Sequence, residues 1–403
     1  MHDDYFSLTR VRLRQYRSIA AADVELSGLV FLVGPNGAGK SNFLDALRLV
    51  SESLRTSLAD ALDARGGLAE VRRKSTGHPS RFGVELEFRG PGFEGAYGFQ
   101  VAGARGGGFR VVREECGIRF GGTGKSAGKE PGTAAGFRVD DGQLTSATER
   151  GLPAADPRRL LLADAAKLKA FRPVYEGLAG IGVLNLDPQA MRRPAAPDAG
   201  RSLQRDGANI AGVLHRMGRS AAGREDKIRV ESYLRQMVPG VRGAARRTQG
   251  GRETVEFTQD VPGAKNPWRF TAQSVSDGTL RALGVLVGLF SAPGDRYSTV
   301  AIEEPETALH PTASGPLLAA LRDASLRRQV IATSHSADLL ESEDIDPAEL
   351  RAVRCTDGQT VIGALDDPGM YTLRAQLALP GQLLRTDQLL PRPVSAELEA
   401  ESR

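Results

Sequence analysis

Apolar positions along the chain recur in two rhythms. Residues 7–14, SLTRVRLR, alternate and predict a strand. Residues 29–33, LVFLV, form a continuous apolar run that predicts a buried strand, and a glycine-rich loop and a helix beginning near Lys40 follow it. From 81 to about 140, the short alternating runs RFGVELEFRG, AYGFQVAG, FRVVREECGIRF and GFRVDDG are separated by glycine clusters such as GARGGG and GGTGKSAGKEPG. That pattern predicts an antiparallel meander with long flexible loops. Residues 157–180 read as helical and lead into a strand at 181–188, IGVLNLDP. ANIAGVLHRM and REDKIRVESYLRQMV read as two amphipathic helices, and VRGAARRTQGGRETVEFTQ as a hairpin. From Ser274 the order is a helix at 277–291, a buried strand STVAIEE, a helix at 311–325 and a second buried strand QVIATS. Arg281 interrupts the apolar run of the first of these helices. Buried strands alternating with helices predict a parallel sheet covered on both faces. The stretch after Pro380 is polar and proline-punctuated, and is expected to fold back or fray. There is no internal repeat and no heptad run long enough for a coiled coil.

Composition narrows the class without naming a function. The chain has 403 residues, 40% hydrophobic and 25% charged, which is a folded protein of roughly two or three compact units. A formal net charge of +4 permits a nucleic-acid partner but does not require one. Cys116 and Cys355 are far apart, which excludes a disulfide framework and a cysteine-based zinc site. The opening MHDDYFSLTR is acidic and polar, unlike a signal peptide, and the longest apolar run is too short to cross a bilayer. No membrane contact and a cytoplasmic location are the expectation.

The strongest chemical signal is Gly34-Pro35-Asn36-Gly37-Ala38-Gly39-Lys40-Ser41, which fits G-x-x-x-x-G-K-[ST] between an apolar strand and a helix. Its glycines let backbone N–H groups turn around a β-phosphate at a helix N-terminus. Lys40 brings an ammonium to the β and γ oxygens, Ser41 brings a hydroxyl to Mg²⁺, and Asn42 stands beside them. Glu303 and Glu304 end a buried strand, where adjacent carboxylates need a cation or a proton-transfer role. Glu303 is assigned to the metal, through a water, and Glu304 to taking a proton from the attacking water. In VSDGTL, Ser276 or Asp277 reads either as a helix N-cap or, with Gly278, as an anion site whose ligand need not be on the same chain. His335, at the end of the last apolar strand, is either structural or a partner of the γ-phosphate or the attacking water.

These four motifs stand in the order found in an ABC-type ATPase. The wording is more specific: RVRLRQYRSI, NLDPQAMRRP, RDGANIAGVL, SVSDGTLRAL, IEEPETALHP and ATSHSADLL resemble the RecF/SMC-related ATPases. Within that group the chain is similar to AAA-family ATPases like the ATPase half of OLD-family nucleases, over about residues 8–385. The resemblance implies an α/β fold: an ABC-type P-loop NTPase head with mixed and parallel sheets, an antiparallel β lobe and a short helical arm. It divides the chain into an N-terminal ATPase lobe (1–189), a helical and hairpin arm (190–273), a C-terminal ATPase lobe (274–380) and a tail (381–403). It implies a head-to-tail homodimer with two ATPs sandwiched between subunits. Gly34 to Ser41 would bind ATP in cis, and Ser276 and Gly278 would meet the γ-phosphate held by the other subunit. Glu304 would be the base, His335 the switch histidine, and 305–310 the loop crossing the dimer interface. Gln189 would be the glutamine that senses Mg²⁺ and the γ-phosphate, the alternative being a surface residue. Arg17 and Ser18 fall where the family's early loop approaches the nucleotide.

Departures from the family shape the functional expectation. The arm is short and lacks a zinc-hook cysteine pair, so a chromosome-tethering SMC role is excluded. Fewer than seventy residues follow His335, too few for the Toprim nuclease domain of OLD proteins, so nuclease action would come from a separate partner. Basic residues gather at 216–252, interspersed with Glu225, Asp226, Glu231 and Glu253; they read as a duplex-DNA backbone surface or as an ordinary charged face. Aromatics are only 5% of residues, which leaves no stacking platform for single strands. Two functions follow from the resemblance: an ATP-gated regulator of a separate nuclease or toxin, as in an anti-phage defence operon, and a RecF-like ATPase that clamps duplex DNA. A transporter subunit ranks last, because the signature is SDGT and not SGGQ.

Overall fold

The computed structural model describes residues 5–75, 80–121, 134–291 and 298–392. The chain enters through an antiparallel pair, β1 (Ser7–Tyr16) and β2 (Ile19–Glu25), and continues into β3 (Leu29–Val33). A six-residue loop joins β3 to α1 (Lys40–Arg55), and the short helices α2 (Leu58–Asp63) and α3 (Leu68–Val71) follow. The expected meander is present as β4 (Arg81–Gly90), β5 (Phe93–Gly103), β6 (Phe109–Phe120), β7 (Ala134–Asp140) and β8 (Gln143–Ala147). It extends β1 and β2 into a seven-stranded antiparallel sheet ordered β2-β1-β4-β5-β6-β7-β8. Alternation puts Phe82, Val84, Leu86 and Phe88 in one core with Phe43, Leu47 and Val50 of α1. The loop expected at the second glycine cluster, 122–133, lies outside the described residues.

Two local expectations are corrected. The helical stretch at 157–180 is two short helices, α4 (Leu161–Ala165) and α5 (Arg172–Ala179). Pro173 sits in the first turn of α5, where a missing N–H costs nothing but a helix cannot be continued from behind. The strand expected to 188 stops at Leu184 as β9 (Ile181–Leu184), because the Asp187 carboxylate accepts from the Gln189 N–H at 2.9 Å and opens α6 (Pro188–Arg192). The arm holds α7 (Ile210–Met217), α8 (Ala221–Met237) and the hairpin β10 (Val241–Gln249) with β11 (Arg252–Gln259), to which β12 (Trp268–Thr271) adds a third strand.

The last section runs α9 (Asp277–Phe290), β13 (Thr299–Glu303), α10 (Ser314–Ser325) and β14 (Gln329–Ser334), as the apolar pattern required. It continues through β15 (Leu350–Thr356), β16 (Gln359–Gly363), α11 (Asp367–Arg374) and α12 (Pro380–Arg385). The tail folds back to residue 392: Asp366 N–H donates to Leu390 O and Arg392 N–H to Ala364 O. A six-stranded sheet, ordered β16-β15-β3-β14-β13-β9 and parallel except for β16, lies between the two hydrophobic cores. β3 shows why its run had to be continuous: Val30 and Leu32 enter the core shared with the antiparallel sheet, while Leu29, Phe31 and Val33 enter the core around α9. This sandwich brings the carboxyl ends of β3, β14 and β13 side by side, the place where ligands bind in open α/β sheets.

Candidate nucleotide site

The loop after β3 is fixed by close approach and by backbone sign. Gly39 has φ +105°, and a Cβ there would stand 2.1 Å from the Thr360 hydroxyl. Thr360 donates to Ala38 O at 2.9 Å and shares a hydrogen bond with the Ser18 hydroxyl at 2.7 Å; Asn42 Nδ2 donates to the same Ser18 oxygen at 2.6 Å. β16 and the early loop thus brace the phosphate loop from two sides. Thr360 carries no signal in the sequence, since a threonine in TDGQTVIG reads as strand filler.

Lys40 is buried, and its ammonium donates to Gly34 O at 2.7 Å and Pro35 O at 3.0 Å. Burial pushes its pKa down, partly opposed by Glu304 and Glu306. The Ser41 hydroxyl donates to Glu303 Oε2 at 2.7 Å, closing a contact across 262 positions of sequence. Arg205 holds the other Glu303 oxygen at 3.1 Å. A hydroxyl and a carboxylate are the hard oxygen donors that Mg²⁺ takes beside nucleotide phosphates, so these residues fit that ion. Among the described residues no group of three or more His, Cys, Asp or Glu side chains is arranged to hold a metal ion.

One strand over, Glu304 Oε1 lies 3.0 Å from His335 Nδ1. Glu304 has φ +47°, a left-handed backbone that L-residues hold only under constraint. Its N–H donates to Thr333 Oγ1 at 3.0 Å, and its carbonyl accepts from Arg281 at 2.8 Å. Glu306, two residues on, accepts from the Ser334 hydroxyl at 2.6 Å, and its other oxygen has no partner among the described residues. Burial raises the Glu306 carboxyl above its ordinary value, with Ser334 opposing. Ser334 O accepts from Gly34 N–H at 3.3 Å, so the acidic loop, the histidine and the phosphate loop share one backbone junction.

The remaining candidates lie apart from this cluster. The Ser276 hydroxyl caps α9, accepting from Thr279 N–H at 3.2 Å, and Ser276 is exposed. Gly278 packs under the acidic loop, where a Cβ would meet Ala308 O at 2.5 Å. Arg192, absent from the sequence reading, donates to Val275 O at 2.9 Å and to Asp277 at 2.6 Å. Gln189 is an exposed residue in the first turn of α6. Arg17 has φ +48° and pairs with Asp45 on α1 at 2.8 Å. In the arm, Lys227, Arg229, Arg242, Arg246 and Arg247 each meet an acidic side chain of the same chain, while Arg216, Arg219, Arg224, Arg235 and Arg252 are exposed.

Residues 29–104 and 185–341, more than half of the chain, match the sequence family described as "AAA domain, putative AbiEii toxin, Type IV TA system". Shorter stretches resemble the DNA replication and repair protein RecF. That of Vibrio campbellii (strain ATCC BAA-1116) is 44% identical over 54 residues, 13% of this chain and 15% of that protein. That of Photorhabdus laumondii is 52% identical over 42 residues, 10% of this chain and 12% of that protein. The chain thus spans well under a fifth of the length of these curated relatives. Among solved structures, the Smc head of Pyrococcus furiosus bound to the C-terminal domain of ScpA aligns with TM-score 0.53 at 10% identity, over 92% of this chain and 99% of that one. An Smc head bound to the C-winged helix domain of ScpA aligns with TM-score 0.52 at 12% identity, over 90% and 99%. At these identities the likeness is one of fold.

Proposed function

The chain belongs to this AAA-domain family, a P-loop ATPase with an ABC-type head related to SMC heads and RecF, and on that premise we propose a Mg-ATP hydrolase that works as a head-to-tail homodimer and controls a separate effector. The observation that carries the reading is the convergence of Lys40, the Ser41–Glu303 pair and the Glu304–His335 pair at the ends of three adjacent parallel strands.

Lys40 leaves its two carbonyls for the β and γ oxygens of ATP, and the backbone N–H groups of 34–41 cradle the phosphates. Ser41, and Glu303 through a water, would hold Mg²⁺, which would supply charge neutralisation when bound. Glu304 takes the proton of the attacking water, and His335 fixes the carboxylate from the other side. The exposed Ser276 and the α9 N-terminus meet the γ-phosphate bound by the partner, so ATP bridges two chains and ADP does not. The division into two ATPase lobes, an arm and a tail stays part of this reading, as does a cytoplasmic site of action. Gln189 keeps its assignment as γ-phosphate and Mg²⁺ sensor only if α6 turns toward the nucleotide on closure.

A nuclease or toxin supplied by another chain is the effector this reading favours, because half of the basic arm residues already spend their charge on internal partners. The family description, which names a toxin, supports a link to toxin systems. Clamping of duplex DNA is the second reading, supported by the local RecF resemblance and by the exposed arm arginines Arg216, Arg219, Arg224, Arg235 and Arg252. The test is steady-state ATP hydrolysis with and without linear duplex DNA, using Glu304→Gln as the blank. Turnover independent of DNA supports the effector reading; stimulation by DNA replaces it with the clamp; no turnover above the blank sinks both.

A further inference from the structure

Beyond Asp277 in its first turn, Arg281 is the one charge of α9. Every residue of α9 from Thr279 to Phe290 is buried, Arg281 at 6% exposure among them. A guanidinium taken out of water needs strong acceptors. Among the described residues Arg281 hydrogen-bonds no carboxylate; it donates to three main-chain carbonyls, those of Leu186, Glu303 (2.9 Å) and Glu304 (2.8 Å). Its Nε is without a partner among the described residues. The acidic groups of Glu306, Glu304, Glu303 and Asp187 are near enough to offset part of its burial.

The choice of acceptors is informative. Leu186 lies just before α6, Glu303 ends β13, and Glu304 is the residue that follows it. Glu304 is the residue with φ +47°, and its peptide is gripped on both sides: Thr333 takes the N–H and Arg281 takes the carbonyl. A left-handed non-glycine residue persists only where its surroundings over-determine it. Here the surroundings are one hydroxyl from β14 and one guanidinium from the helix that Ser276 opens.

The geometry points to Arg281 as a positioning residue that, together with Thr333, holds the Glu304 peptide in its left-handed conformation and so aims the Glu304 carboxylate at the His335 side of the nucleotide site. This rests on the reading of Glu304 as the base. Because the grip comes from α9, the aim of the carboxylate depends on how the signature helix is seated.

The test compares parent, Glu304→Gln, Arg281→Lys, Arg281→Ala and Thr333→Val for ATP turnover, ATP affinity and melting temperature. A lysine keeps the charge but cannot span three carbonyls in the plane of a guanidinium. For Arg281→Lys the expected result is an unchanged KM and nucleotide affinity with kcat lowered on the order of 100-fold, the cost of a misplaced reacting group. Thr333→Val loses turnover in the same way, and the double variant loses far less than the product of the two, as residues acting on one peptide do. Millimolar guanidinium restores part of the turnover of Arg281→Ala. A purely structural role lowers melting temperature and ATP affinity along with turnover, without guanidinium rescue, and that pattern overturns the inference. So does a parental kcat in Arg281→Lys while Glu304→Gln is inactive. Should Arg281→Lys not fold, Thr333→Val decides alone, and a parental kcat there overturns it. If Glu304→Gln itself keeps parental turnover, the base assignment fails first and takes this inference with it.

Discussion

Glu304→Gln is the most decisive single change. It replaces a carboxylate by an amide of the same shape and leaves the main chain alone. The two hydrogen bonds that hold the Glu304 peptide, to Thr333 and from Arg281, involve only backbone atoms of residue 304 and survive. What is lost is the contact of Oε1 with His335 Nδ1 at 3.0 Å, between side chains 33% and 37% exposed. A pair that open to solvent is worth no more than about 1 kcal/mol, so the melting temperature should move by at most about 2 °C. The chemical effect is far larger. A positioned general base contributes about 10²–10⁴-fold, or roughly 3–5 kcal/mol of barrier. Phosphate release in a single-turnover assay should therefore fall by two to four orders of magnitude, on the scale expected for a lost general base. ATP affinity should hold, because one negative charge beside the phosphates is removed while Lys40 is untouched. With turnover blocked, size-exclusion chromatography with light scattering should find a dimer in Mg-ATP and a monomer in ADP. Turnover within twofold of the parent refutes the base assignment. An inactive variant that stays monomeric in saturating Mg-ATP refutes the shared nucleotide instead.

Lys40→Ala should weaken ATP binding by roughly 10–100-fold, the worth of a charged hydrogen bond to phosphate, by calorimetry; unchanged affinity would remove Lys40 from the site. Gly39→Ala should cost about 2–5 kcal/mol in urea unfolding, since φ is +105° and the new Cβ would stand 2.1 Å from Thr360 Oγ1; a loss under about 0.5 kcal/mol speaks against this packing. Ser276→Arg should leave ATP binding in the monomer intact and abolish the ATP-dependent dimer of the Glu304→Gln background; normal dimerisation removes the cross-subunit role. Glu114 is fully buried and its carboxyl is pushed up to about 7 by burial, against three donors, Tyr97 and the N–H groups of Leu161 and Leu162. A folded value above the ordinary 4.5 means that its contribution is fully present below 4.5 and is lost as pH rises toward about 7. Denaturation of parent and Glu114→Gln at pH 5 and pH 8 should differ in pH dependence by up to about 3 kcal/mol, and parallel profiles would exclude the raised pKa.

Much of the architecture was legible because it rests on local rules. The continuous run of β3 and the apolar strands β13 and β14 could only be two-sided burial, and the period-2 runs of 81–140 could only be a half-buried sheet. The failures were equally local in cause. At 157–180 Pro173 starts a new helix that the apolar spacing alone does not reveal, and at 181–188 the capping by Asp187 prevails over the apolar run before it.

At the site, the chain's own order determined the phosphate loop, because the conformation of Gly34 to Ser41 and the helix behind it follow from residues within a dozen positions of one another. The charge of Glu303, Glu304 and His335 at strand ends could be read the same way. Which side chains meet could not. The Ser41–Glu303 contact spans 262 positions, Thr360 braces Ala38 across 322, and Arg205, Arg192 and Arg281 reach Glu303, Val275 and Leu186 across 98, 83 and 95 positions. Such contacts depend on the order of β16-β15-β3-β14-β13-β9 and on the depth to which α9 is buried. Short-range propensity carries no information about either, since a hydrogen bond between distant residues is made only after packing has brought the strand ends together.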